Sequence, residues 1–156
     1  MDCTFKTEEG KFNFRVGAAI YDGKRVLFTT DGRSDFYNAV GGRVQFGETT
    51  ENAVLREIRE ELGIDAEIDR LYSITQKFFE CGGVVYHEIE FLYLIKPFDF
   101  SKIDYNAIHC DGDDSRLVWL DADKEPDMPY FPKHIFEAVT SPCSDVKIMT
   151  ENELMQ

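Results

Sequence analysis

Phe14, Val16, Ala18 and Ile20 alternate with Arg15, Gly17, Ala19 and Tyr21, and this period of two predicts a strand near residues 13–21. Asp22-Gly23-Lys24 turns the chain into a second strand, Arg25 to Thr30. A polar loop, Asp31-Gly32-Arg33-Ser34-Asp35, leads to a short extended piece ending in Gly41-Gly42. The period then changes. Residues 49–63 carry a helical pattern, with Thr49 or Thr50 as N-cap and Gly63 as the stop. Two strand-like runs, 66–80 and 84–96, are joined by Cys81-Gly82-Gly83 as a hairpin turn, and Pro97 ends the second. A long loop over 98–115 precedes a short strand, Arg116 to Leu120. A second helix starts at Pro132 and covers His134 to Val139, and an extended tail follows from Asp145 to Met149. Strands and helices mixed with a hairpin predict an α/β fold, a sandwich with a mixed sheet rather than a doubly wound parallel one. No repeat or linker divides the chain, so 1–156 reads as a single domain.

Charge narrows the function classes. Thirty Asp and Glu against 17 Lys and Arg leave a net charge of −13. A general nucleic-acid binder must neutralise phosphates, and a protein docking on anionic lipid needs basic residues, so both partners are excluded. Small phosphorylated ligands remain, because acidic proteins hold phosphate through divalent ions. The longest clearly apolar stretch, Phe91-Leu92-Tyr93-Leu94-Ile95, is too short to span a bilayer, and the start lacks a signal peptide's basic and apolar regions. Cys3, Cys81, Cys110 and Cys143 are scattered without metal or disulfide spacing. The expected location is the cytoplasm, with reduced thiols.

On a helical wheel at 100° per residue, Val54, Leu55, Ile58 and Leu62 form one apolar stripe. Glu57, Glu60 and Glu61 fall on another flank, together with the small Ala53 one turn earlier. Carboxylates at i, i+3 and i+4 repel one another unless water or a cation screens them. A solvated acidic face and a site for a hard cation such as Mg²⁺ or Mn²⁺ both satisfy that pattern.

The surrounding residues discriminate. Residues 42–64 resemble the signature of the Nudix hydrolase family, G-x5-E-x7-R-E-U-x-E-E-x-G-U with U bulky and aliphatic. Gly42, Glu48, Arg56, Glu57, Ile58, Glu60, Glu61, Gly63 and Ile64 meet every position. A chance match is on the order of 10⁻⁷ at average residue frequencies. The resemblance implies an α/β/α sandwich with a loop–helix–loop catalytic motif. It also implies hydrolysis, dependent on Mg²⁺ or Mn²⁺, of a nucleoside diphosphate linked to another group, with a small-molecule nucleotide as partner. Glu57, Glu60 and Glu61 would be the metal ligands, with the Gly42 carbonyl as a further one. Arg56 would pair with Glu48 or a helix glutamate, and Glu60, Glu61 or an acid elsewhere would be the general base. Val40 stands where many members have proline before the paired glycines.

Substrate is less legible. Patterns associated with ADP-ribose, NADH, coenzyme A and dinucleoside polyphosphate enzymes are absent, and what remains resembles the MutT-like nucleoside triphosphate pyrophosphatases. A nucleotide-binding regulator without turnover and an isopentenyl-diphosphate-type isomerase share the fold as alternatives, and a homo-oligomer stays open. Outside the motif, Arg15 shares its strand face with Gly17 and Ala19, which leaves space beside a positive charge for substrate. Glu88 or Glu90, on the polar face of the 84–96 run, is the other substrate-side candidate. The acids Asp111, Asp113 and Asp114 read as loop solvation, and His87, His109 and His134 as structural or exposed.

Overall fold

Neighbouring residues on the central strands feed two different cores. Ala18, Ile20, Leu27, Val40, Tyr93 and Ile95 enter one; Ala19, Val26, Phe28, Ala39, Leu92 and Leu94 enter the other. This alternation is a sheet buried on both faces. The computed structural model describes residues 1–111 and 114–155. Its strands are β1 (Thr4–Lys6), β2 (Lys11–Ala19), β3 (Arg25–Thr30), β4 (Tyr37–Arg43), β5 (Ile68–Cys81), β6 (Val84–Ile95), β7 (Arg116–Asp121), β8 (Tyr130–Phe131) and β9 (Lys147–Asn152). The helices are α1 (Thr50–Leu62) and α2 (Ile135–Thr140). The sheet runs β7-β3-β4-β2-β6-β5-β9, with β1 added on β2 and β8 on β4. It is mixed: β2–β6, β4–β8 and β5–β9 are parallel, the remaining pairs antiparallel.

One helix covers each face. Ala53, Val54, Ile58 and Leu62 of α1 lie in the first core, Ile135 and Ala138 of α2 in the second. Burying a side chain such as Ile58 or Leu62 is worth about 1.5–3 kcal/mol. Thr49 caps α1 by accepting the Asn52 N–H at 3.2 Å, and Gly63 ends it at φ 68°. Both lie where the sequence places them. Ala53, one turn before Glu57, is fully buried in the core.

The remaining differences have local causes. β1 and β8 have three and two residues, too short for a period to be read. The 98–115 loop contains two 3₁₀ turns, Phe100–Lys102 and Ala107–Asp111. The tail extends to Asn152 because the edge of β5 away from β6 takes β9 in parallel from Ser73 to Phe78. Val40, in place of proline, is fully buried and in register with Ala18. The expectation for Asp113 lies outside the described residues, as does the side chain of Cys110.

α2 is only six residues long and covers only part of its face. Further along the same face, β2 continues with Arg15 and Asn13, β6 with Glu90 and Glu88, and β5 with Thr75 and Lys77. The polar stretch beyond the end of that short helix is where a cleft opens.

Candidate active site

β4 leads through a loop, residues 44–49, into α1, and Arg56 ties strand, loop and helix together. Its Nε donates to Glu48 Oε1 at 2.8 Å and its Nη2 to Glu48 Oε2 at 3.1 Å, a two-pronged contact. Nη1 donates to Glu57 Oε1 at 2.8 Å and Glu60 Oε2 at 3.2 Å, and Nη2 also reaches the Arg43 carbonyl at 3.0 Å. Of the two partners expected for Arg56, the structure supplies both. Glu48 in turn accepts the Gln45 N–H at 3.0 Å, which closes the loop onto the helix. The Glu48 and Glu57 carboxylates raise the guanidinium pKa further above its ordinary value. Arg56 holds the Glu48 carboxyl below its ordinary pKa, against the opposing effect of burial.

That depression has a consequence for stability. A carboxyl with a lowered folded-state pKa stabilises the fold above its unfolded pKa, and the contribution disappears as pH falls through the folded value. Glu48→Gln is therefore expected to cost up to about 1 kcal/mol near neutral pH and almost nothing at the acid end. Urea unfolding of both proteins across that range checks it; an equal loss at all pH values would contradict it.

Glycines bring the strand against the carboxylates. A Cβ on Gly42 would stand 2.5 Å from Glu57 Oε1 and 2.7 Å from Oε2, so the carboxylate packs on the bare Cα. The Gly41 N–H donates to Glu61 Oε2 at 3.2 Å, and at φ 148° a Cβ on Gly41 would strike the Val16 carbonyl at 2.2 Å. Glu57 and Glu61 are buried, at 8% and 4% exposure, whereas the Glu60 side chain is 45% exposed. The flank is thus two carboxylates turned toward β4 and one facing solvent. Its donors are all oxygen, and Gly42 brings backbone within reach, which suits a hard divalent cation in both respects. Among the described residues no three acidic, histidine or cysteine side chains already enclose a metal position. The cation now seated among the carboxylates is Arg56.

A cleft of about 390 Å³ lies where α2 leaves the sheet uncovered. Arg15 and Glu88 both line it, as do Asn13, Lys77 and Glu90. Asn13, Lys77, Glu88 and Glu90 form a buried ladder across three strands. Asn13 Nδ2 donates to Glu88 Oε2 at 3.2 Å, Lys77 Nζ lies 3.7 Å from Glu88 Oε1 and donates to Glu90 Oε1 at 2.8 Å. Burial would raise the Glu90 carboxyl pKa, yet Lys77 and Arg15 hold it below the ordinary range. Burial would lower the Lys77 pKa, yet Glu90 and Glu88 keep it raised. Phe36 and Phe131, edge to face with centroids 5.7 Å apart, form an aromatic wall. Phe36 and Asn38 also line a second cavity of about 80 Å³ that Glu61 enters. Phe36 and Asn38 are thus common to the cavity beside Glu61 and to the cleft lined by Arg15 and Glu88.

Lys77, Asn13, Asn38, Phe36 and Phe131 escaped sequence reading. The signal for Lys77 was the alternation Ser73, Thr75, Lys77, which reads as a solvent face unless three strands are known to align. Asp114 pairs with Arg33 at 3.4 Å on the surface, in keeping with loop solvation. His87 stacks on Phe78, and His134 is buried against Ser73. Cys3, Cys81 and Cys143 are unpaired. Among the described residues no helix is long and apolar enough to cross a membrane.

A mixed sheet between two helices, with a glycine-floored acidic flank at the strand-to-helix junction, defines the class. Residues 11–139 match the NUDIX domain, and the chain belongs to that family. Over 90 residues it is 37% identical to the oxidized purine nucleoside triphosphate hydrolase of Danio rerio. That match takes in 58% of this chain and spans about half, 52%, of the curated relative's length. Among solved structures it is similar to the MutT NUDIX hydrolase from Burkholderia pseudomallei, with TM-score 0.67 and 27% identity over 83% of this chain and 98% of that one. A Mutator MutT protein from Bacillus halodurans has the same fold, with TM-score 0.62 and 20% identity over 80% of this chain and 78% of that one.

Proposed function

We propose that the protein hydrolyses the diphosphate linkage of a nucleoside diphosphate derivative, a nucleoside triphosphate in the first place, by water attack on phosphorus. The observation that carries this reading is the Glu57 carboxylate resting on the bare Cα of Gly42, within an all-oxygen donor set, in a chain of the Nudix family. The relative from Danio rerio, named for hydrolysing oxidized purine nucleoside triphosphates, supports the substrate class.

In this reading Glu57, Glu60 and Glu61, with the Gly42 carbonyl, hold a divalent cation of the Mg²⁺ or Mn²⁺ kind. When bound, that ion supplies positive charge for the diphosphate oxygens and acidity for the attacking water. Arg56 keeps the Glu57 and Glu60 carboxylates from swinging apart, and Glu48 fixes Arg56 from behind. Glu60 or Glu61 accepts the water's proton. Glu60 has the advantage of solvent access, and Glu61 that of orientation by the Gly41 N–H. Arg15 and Glu88 hold the nucleoside in the cleft, with the phosphates directed across Asn38 toward Glu61.

Product release from a panel of nucleoside triphosphates, nucleotide sugars and dinucleotides tests this. Cleavage is expected with Mg²⁺ or Mn²⁺ and is expected to cease in excess EDTA. A panel left intact, with isopentenyl diphosphate included, would identify a binder without turnover; isomerisation of that diphosphate would identify an isomerase.

A further inference from the structure

The family match ends at residue 139, yet the chain continues into β9, which pairs in parallel with β5 from Ser73 to Phe78. In that register Glu151 lies beside Lys77, and both Glu151 and Glu153 line the cleft. His134 packs beside this pairing, bonded to β5. The ring's Nε2 is 2.8 Å from Ser73 Oγ, and its Nδ1, which has no hydrogen-bond partner among the described residues, stands 3.8 Å from Glu151 Oε1. A serine, a histidine and a glutamate in that order resemble a nucleophile with its base and orienting acid. Ser73 is 0% exposed, however, so no substrate reaches its hydroxyl. Glu151 is placed at the rim of the cleft by the β5–β9 pairing, with the His134 ring behind it.

The effect on the cleft is electrostatic. Glu80, Glu88, Glu90, Glu151 and Glu153 line it against the cations Arg15, Arg43 and Lys77. Lys77 is already engaged by Glu90 and Glu88, and Arg43 lies 3.5 Å from Asp2. Without β9 the three other glutamates of the lining match its three cations; the β9 segment adds Glu151 and Glu153, and although Glu153 Oε1 is held 3.0 Å from Lys133 Nζ, Glu151 leaves the lining negative. Such a lining accepts N–H donors and disfavours a further phosphate.

We propose that β9 is a specificity element of the substrate cleft, where Glu151 and Glu153 admit an uncharged nucleoside and turn away one that carries a second phosphoryl group on its ribose. This rests on the reading that the cleft holds the nucleoside.

The test is equilibrium binding, by calorimetry with Mg²⁺ present, of the 5′-monophosphates and the 3′,5′-bisphosphates of adenosine and guanosine. The members of each pair differ by one phosphoryl group. The parent is expected to bind the monophosphate at least about tenfold more tightly than the bisphosphate. Glu151→Gln narrows that ratio, and Glu151→Gln with Glu153→Gln brings it to within about twofold, through tighter binding of the bisphosphate. Both substitutions keep side-chain size, and thermal unfolding verifies that each variant is folded. A parent that does not discriminate, a ratio that survives both substitutions, or a protein that binds none of the four overturns the proposal. Triphosphate cleavage assayed on the same samples separates the two readings. Absent turnover with the binding ratios as expected strikes hydrolysis and leaves the role of β9 standing.

Discussion

Glu57→Gln lowers kcat by about 10²- to 10³-fold while the protein stays folded. The fold is spared because glutamine has the same shape and its amide oxygen still accepts the Arg56 Nη1 hydrogen, which Glu57 Oε1 now takes at 2.8 Å. Arg56 also retains Glu48, Glu60 and the Arg43 carbonyl. What is lost is one charge from the three carboxylates proposed to hold the divalent ion. A buried carboxylate at 8% exposure is not replaced by solvent. The Mg²⁺ concentration needed for half-maximal rate rises in parallel. Steady-state rates across a Mg²⁺ titration, with thermal unfolding as control, measure both effects. A kcat within twofold of the parent would remove Glu57 from the site.

Gly42→Ala abolishes most of the activity, by about 10²-fold or more, through space rather than charge. Gly42 does not have a positive φ, so its backbone is open to any residue. The added methyl carbon would nevertheless lie 2.5–2.7 Å from the Glu57 carboxylate, closer than atoms pack. The far end of a glutamate moves more cheaply than a strand paired with Val16, so Glu57 yields and the sheet does not. The loss is therefore expected in kcat and in metal dependence, with a change in unfolding midpoint of only a few degrees. A variant that is fully active, or one that unfolds instead, would show that the contact between Gly42 and Glu57 is not what the site depends on.

The motif was legible because it is local. Helix α1 with its caps follows from periods and stop residues spaced along 49–63, and the family resemblance from nine positions within 42–64. The cleft was not legible, because its members are distant in the chain. Asn13, Lys77, Glu88 and Glu90 become one hydrogen-bonded ladder only once β2, β6 and β5 lie side by side in one register. A polar alternation along a strand reads as a wet face. Whether that face is wet depends on what packs over it, and here β9 and the Phe36–Phe131 wall enclose it.

The acid excess divides along the same line. Residues 48–61 hold five acids against two arginines, while 104–127 hold eight against two basic residues, off the motif and mostly exposed where described. By itself the sequence determined the family, the helix of the motif with its caps, and which three glutamates share a flank, since helical geometry links residues three and four apart. Only the tertiary structure decided that Glu57 and Glu61 are buried against Gly42 and Gly41 while Glu60 faces water. It also decided that Arg56 joins Glu48 to two of the three, and that a strand beyond the family match completes the cleft. Those outcomes depend on contacts between segments that no local spacing encodes, because register, and not sequence distance, sets which side chains meet.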